Sequence, residues 1–124
     1  ESYSDKHRAS WVDRFDTTVD DMFEDYVFPQ ENGSHYNCQY ASVGNLYAKG
    51  KKPFSFQASR YSEKELDEKA HNFELVPSDG IYVALDYKQS GIGSNSCGPR
   101  LAEKYQLREE KIEWEISIRF DNKN

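Results

Sequence analysis

In the run KIEWEISIRF, residues 111–120, large apolar side chains fall at every second position. Ile112, Trp114, Ile116, Ile118 and Phe120 alternate with Glu113, Glu115, Ser117 and Arg119. A period of two places successive side chains on opposite faces of an extended chain, so this segment reads as a strand with one face on a core and the other in water. GIYVALDYK repeats the pattern with Ile81, Val83, Leu85 and Tyr87 inward, and PFSFQAS with Phe54, Phe56 and Ala58 inward. ASWVDRF, HYNCQYAS, NLYAKG and NFELVP are read as further strands. Turn signals at Asn32-Gly33, Gly44-Asn45, Gly50 and Asp79-Gly80 separate these runs at short intervals, as an antiparallel sheet or sandwich requires.

One segment departs from the alternation. In YSEKELDEKAHNF, Ser62 stands three residues before Glu65, the spacing of a capping box, and Leu66, Ala70 and Phe73 follow at helical intervals. A short surface helix is predicted over residues 63–70, with the charged run from Glu63 to Lys69 as its solvated face. The predicted class is mainly β: an antiparallel β-sandwich with one short surface helix.

A chain of 124 residues forms one domain or part of one. Its aromatic content of 15% makes rings the main material of the core. The net charge of −6, with basic residues scattered along the chain, offers no patch for neutralising phosphates and argues against nucleic acid and anionic membrane surfaces as partners. No apolar run approaches the roughly 18 residues of a membrane span, and the beginning, ESYSDKHRAS, carries neither an initiator Met nor the apolar core of a signal peptide. The expectation is a piece of a longer cytoplasmic protein. Cys38 and Cys97 are too few for a disulfide scaffold and form no Cys-x-x-Cys pair, so both are read as free thiols in a reducing compartment.

Residues suited to catalysis are plentiful, but none falls into an arrangement that carries chemistry. His7, His35 and His71 lack the spacing of a metal site. Adjacent acids, Asp20-Asp21 and Glu109-Glu110, point apart on a strand or turn and are read as solvated. Cys97 would need a base beside it to act as a nucleophile, and no residue pattern supplies one. The tyrosines Tyr36, Tyr40 and Tyr47 offer a different possibility, an exposed aromatic platform of the kind a non-catalytic carbohydrate-binding module uses.

The least ordinary stretch is YKQSGIGSNSCGP, Tyr87–Pro99, where an alternating apolar run gives way to three glycines, three serines and a cysteine. Such a loop gains positive φ and local hydrogen bonds and adds little to a core. Together with ESYSDKHRAS, YVFPQENG (26–33), FSFQASRYS (54–62) and LDEKAHNFEL (66–75), taken in order along the chain, this loop resembles the C-terminal domain of family 2 β-galactosidases.

The resemblance implies that residues 1–124 are the later part of a large supersandwich-type domain, from a cytoplasmic enzyme made as one chain or as a large and a small chain. In that family two glutamates on a (β/α)₈ barrel cleave terminal β-D-galactosides such as lactose with retention, through a covalent galactosyl intermediate. Neither glutamate falls in this segment. Mg and Na ions, where the family uses them, belong to the barrel, so no cofactor or metal is expected here. The implied partners are the remaining domains, the galactoside at the domain boundary and further subunits of an oligomer. The implied contribution to the sugar pocket is the glycine-rich loop, with Asn95, Ser96 and Cys97 as substrate-binding residues. Cys97 occupies the position where the family typically carries tryptophan, and a thiol lacks the flat face that an indole offers a sugar. Two plainer readings stand beside this one: Cys97 as a buried turn residue, and the whole segment as a purely architectural domain.

Overall fold

The computed structural model describes residues 12–23, 33–88 and 99–121. Four strands, β1 (His35–Val43), β2 (Leu46–Ser59), β3 (Tyr82–Asp86) and β4 (Ile116–Phe120), form an antiparallel sheet, with one helix, α1 (Glu63–Glu68), and 3₁₀ turns at Asn72–Glu74 and Glu103–Tyr105. The mainly antiparallel class with a single short helix is as the alternation predicts. The described strands make up one layer, and a second sheet is not among them.

The long strand β2 organises the layer. β1 pairs along one edge of it, while β4 and β3 lie end to end along the other, β4 beside Leu46–Gly50 and β3 beside Ser55–Ser59. A two-residue turn joins β1 to β2, with Val43 paired to Leu46 and Gly44 at φ +58°. Glycine at the first turn position accepts this conformation and matches the twist of the two strands.

Gly50, read from sequence as a turn, lies inside β2. Tyr40 pairs with Lys49 and Cys38 with Phe54, so residues 50–53 of β2 bulge opposite a single residue of β1. Pro53, which has no N–H to donate, falls in this bulge, where the ladder is already interrupted. A second, smaller bulge in β1 is taken up by Asn37 at φ +55°, a value asparagine tolerates better than most residues.

The core among the described residues is small and leans less on rings than composition suggests, with Phe54, Phe56 and Trp114 as its aromatic members. Phe54, Phe56, Ala41, Ala48 and Ala58 are buried, and Val19, Met22, Cys38, Val43, Leu46, Val83, Leu85, Trp114 and Ile116 pack around them. The segment 12–23 is irregular, so the described part of ASWVDRF, residues 12–15, is no strand, while residues 9–11 lie outside the described residues. The segment is tied to the end of β2 by Arg60, whose Nε donates to Asp20 Oδ1 at 2.6 Å, and by the Phe23 and Tyr61 rings, 4.9 Å apart. NFELVP is likewise no strand. Glu74 accepts the His71 backbone N–H at 3.0 Å, and this side-chain capture closes a 3₁₀ turn where a ladder would need the same N–H.

Helix α1 is shorter than predicted and is capped as predicted, with Ser62 Oγ accepting the Glu65 N–H at 3.0 Å. Glu65 completes no reciprocal box. Its carboxylate accepts the Val76 N–H at 2.9 Å and fastens the following loop. The strand β4 is also shorter than its sequence pattern, and two of its inward residues, Ile118 and Phe120, are 51% and 64% exposed. The alternation gives their facing correctly, since Ile118 pairs with fully buried Ala48 on the same side of the sheet. Nothing among the described residues covers them as it covers Ile116.

Candidate functional site

The two ends of the glycine-rich loop are the best-built polar feature of the described residues. β3 ends at Asp86, and the next two side chains turn toward one acceptor. Tyr87 Oη donates to Glu109 Oε1 at 3.3 Å and Lys88 Nζ donates to the same oxygen at 2.8 Å. The other carboxylate oxygen, Oε2, accepts the Arg108 backbone N–H at 3.2 Å. Lys88 also lies 5.0 Å from the centre of the Tyr87 ring. The Lys88 ammonium holds the Glu109 carboxyl below its usual range, and Glu109, then Tyr87, raise Lys88. The lowered carboxylate favours the fold above its ordinary value, and this contribution is lost as pH falls through the lowered one. The raised ammonium favours the fold below its ordinary value and loses its contribution only as pH rises through the raised one. The pair is therefore charged throughout the neutral range.

The returning end is tied to the same short segment. Gln106 Oε1 accepts from Arg100 Nη2 at 3.4 Å and from Arg108 Nε at 2.8 Å, while Gln106 Nε2 donates to the Leu101 carbonyl. Arg108 Nη1 pairs with Glu103 at 3.3 Å, which adds the 3₁₀ turn to the network. Residues 106–109 thus hold Tyr87 and Lys88 before the loop and Arg100 and Leu101 after it.

The family model described as "Beta galactosidase small chain" matches residues 1–120. The chain belongs to the β-galactosidase small-chain family. It is 50% identical over 121 residues to a β-galactosidase of Actinobacillus pleuropneumoniae and 42% identical over 123 residues to one of Staphylococcus xylosus, matches that take in 98% and 96% of this chain. A β-galactosidase of Kluyveromyces lactis is 33% identical over 127 residues, again covering 98% of this chain. The chain spans about 12% of the length of each of these curated relatives.

For this member of the β-galactosidase small-chain family, Asn95, Ser96 and Cys97 lie outside the described residues. The sequence reads Glu109 with Glu110 as a solvated acid, whereas its carboxylate gathers three donors, Tyr87 Oη, Lys88 Nζ and the Arg108 N–H. No local period signals a partner 21 residues away. The hint in the sequence is the position of Tyr87 and Lys88, an aromatic and a charged side chain just ahead of the small-residue run.

The proposed aromatic platform takes a different form. Tyr40 and Tyr47 stack with ring centres 6.1 Å apart, and the Arg119 guanidinium lies 4.3 Å from the Tyr47 ring centre. These residues come from β1, β2 and β4, so the cluster is cross-strand packing on the outer face of the sheet. Tyr36 is half-buried, which pushes its phenol up. Cys38 is a free, half-buried thiol, also raised by burial, and its Sγ is 3.6 Å from the His35 carbonyl. A raised thiol stays protonated at neutral pH and is a poor nucleophile. Among the described residues no three His, Cys, Asp or Glu side chains gather in a way that could hold a metal ion.

Proposed function

We propose that this chain is the C-terminal β-sandwich portion of a cytoplasmic β-galactosidase. The enzyme hydrolyses terminal β-D-galactosides such as lactose with retention, and this segment contributes a wall of the sugar pocket. The chemistry lies elsewhere in the enzyme, on two barrel glutamates. One protonates the leaving sugar oxygen while the other attacks the anomeric carbon, and water then releases the galactosyl group. Asn95, Ser96 and Cys97 contact the sugar from the 89–98 loop. The partners are the barrel and remaining domains, on the same polypeptide or a large chain, within an oligomer.

The observation that carries this reading is the family match over residues 1–120, together with the small share of each relative that the chain spans. The exposed apolar residues of β4 support an architectural role as well, since strands of this pattern are built to be covered.

The test replaces Cys97 in the full-length enzyme. Cys97→Trp adds a flat face for the acceptor sugar and narrows the pocket, so the ratio of transfer to hydrolysis with lactose should change by about 1 kcal/mol in either sense. Cys97→Ser preserves size and should lower kcat less than about tenfold. A thousandfold fall in kcat on Cys97→Ser would point to a catalytic thiol. A well-folded Cys97→Trp enzyme with unchanged product ratio would remove the loop from the active site.

A further inference from the structure

Phe73 is 81% exposed and Val76, three residues on, is 68% exposed. Single apolar side chains at a surface are ordinary. These two differ in that the stretch carrying them is braced at nearly every step. The His71 backbone N–H is taken by Glu74 Oε2 at 3.0 Å, the Glu74 and Leu75 N–H groups by the His71 and Asn72 carbonyls at 3.1 Å, and the Val76 N–H by Glu65 Oε1 at 2.9 Å. The Ser78 N–H then donates to the Arg60 carbonyl at 2.9 Å and ties the stretch to the chain just past β2. On this backbone the Phe73 ring stands against the His71 ring, with centres 5.1 Å and planes 18° apart. A ring fixed before contact loses little freedom when it is buried, which is the condition under which an aromatic side chain contributes most to an interface.

The surroundings are acidic. Lys64 pairs with Glu68 at 3.6 Å, but among the described residues no Lys or Arg pairs with Glu63, Glu65, Asp67 or Glu74. We propose that residues 71–76 form a docking knob, with Phe73 and Val76 entering an apolar pocket rimmed by basic side chains on the part of the enzyme outside residues 1–124. This rests on the reading of the chain as a portion of a longer β-galactosidase, since it spans about 12% of the length of its relatives. Charge decides between that occupant and a second copy of this chain. Two copies of the turn would set acid against acid, and each chain carries a net charge of −6, so like charges would oppose the contact. A basic rim instead steers the knob into its pocket and gives the unmatched carboxylates their counter-charge.

The experiment uses the full-length wild-type enzyme, with turnover of a chromogenic β-galactoside measured on the same preparation. Hydroxyl-radical footprinting should oxidise Phe73 at least about tenfold more slowly in the native enzyme than in urea, since a docked anchor is sealed from water. An amine-reactive diazirine placed on Lys64 and Lys69 should, on irradiation, link to residues outside 1–124. The double substitution Glu63→Gln with Asp67→Asn should raise the oxidation of Phe73 in the native enzyme by about threefold or more, because it removes charge that faces the basic rim. Phe73 oxidised as fast in the native enzyme as in urea would overturn the knob, as would diazirine links confined to residues 1–124 of the same or a second copy. Unchanged oxidation in the double variant would overturn the basic rim and with it the choice of occupant. If the enzyme turns over and Phe73 is open, the docking falls alone. If the preparation hydrolyses no β-galactoside, the reading of the chain as part of a β-galactosidase falls, whatever the footprint shows.

Discussion

A methyl group added at Gly44 would meet nothing within 4 Å, whereas one added at Gly50 would come 2.2 Å from the Lys52 carbonyl oxygen and 2.9 Å from the Phe54 ring. The two glycines are therefore required for different reasons. At Gly44 the requirement is conformational, because φ +58° is costly for a residue with a Cβ. At Gly50 it is steric: the bulge folds the chain back on itself, and Phe54, at 1% exposure, cannot retreat without opening the core. Gly44→Ala should cost about 1 kcal/mol, and Gly50→Ala about 3 kcal/mol. Denaturant melts of the isolated chain check the order; equal losses, or a larger loss at Gly44, would mean that the bulge does not have the described geometry. The sequence marks both residues as glycine and cannot say which constraint applies. Gly50 reads as a turn because a local window contains the glycine and the lysines but not the partner strands that run past it.

Among the elements, legibility follows how local the deciding interaction is. The cap of α1 needs only Ser62 and the N–H three residues on, and it was readable. At NFELVP the alternation predicts a strand, but Glu74 takes the His71 N–H, a choice that alternation alone does not reveal. In β4 the pattern fixes which way each side chain faces, but burial depends on what lies opposite. Ile116 packs against the core cluster, and Ile118, two residues on, is half exposed. The consequence is an asymmetry that the sequence alone would not predict. In the isolated chain, Ile116→Asp buries an unpaired carboxylate and should cost about 3 kcal/mol or more, while Ile118→Asp should cost about 1 kcal/mol or less, since its carboxylate remains in water. Glu115→Ala removes only the exposed 3.4 Å pair with Lys51 and should cost about 0.5 kcal/mol. Similar losses for Ile116→Asp and Ile118→Asp in denaturant melts would show that the face of β4 is covered evenly and that the described burial is wrong. The pairing of Lys88 with Glu109 is the opposite case, since it joins residues 21 apart in the chain and no local pattern announces it.

For the molecule as a whole, the described sheet has one face only partly covered, and the chain spans about 12% of its β-galactosidase relatives. Ile112, Ile118 and Phe120 stand exposed along 111–120, the segment with the strongest strand pattern in the sequence. Apolar side chains in that arrangement bind hydrophobic dyes when nothing covers them. The isolated chain should therefore fold as an antiparallel β structure by circular dichroism, enhance anilinonaphthalene sulfonate fluorescence more per mole than the full-length enzyme does, and fail to hydrolyse a chromogenic β-galactoside. The double substitution Ile118→Thr with Phe120→Ser should reduce the dye signal while leaving the β spectrum in place, because both side chains are already more than half exposed. The two readouts address separate parts of the argument. A folded chain that ignores the dye would mean that residues 111–120 cover themselves and leave no face for the rest of the enzyme. Turnover that survives repeated purification would mean that the hydrolytic groups lie within these 124 residues after all.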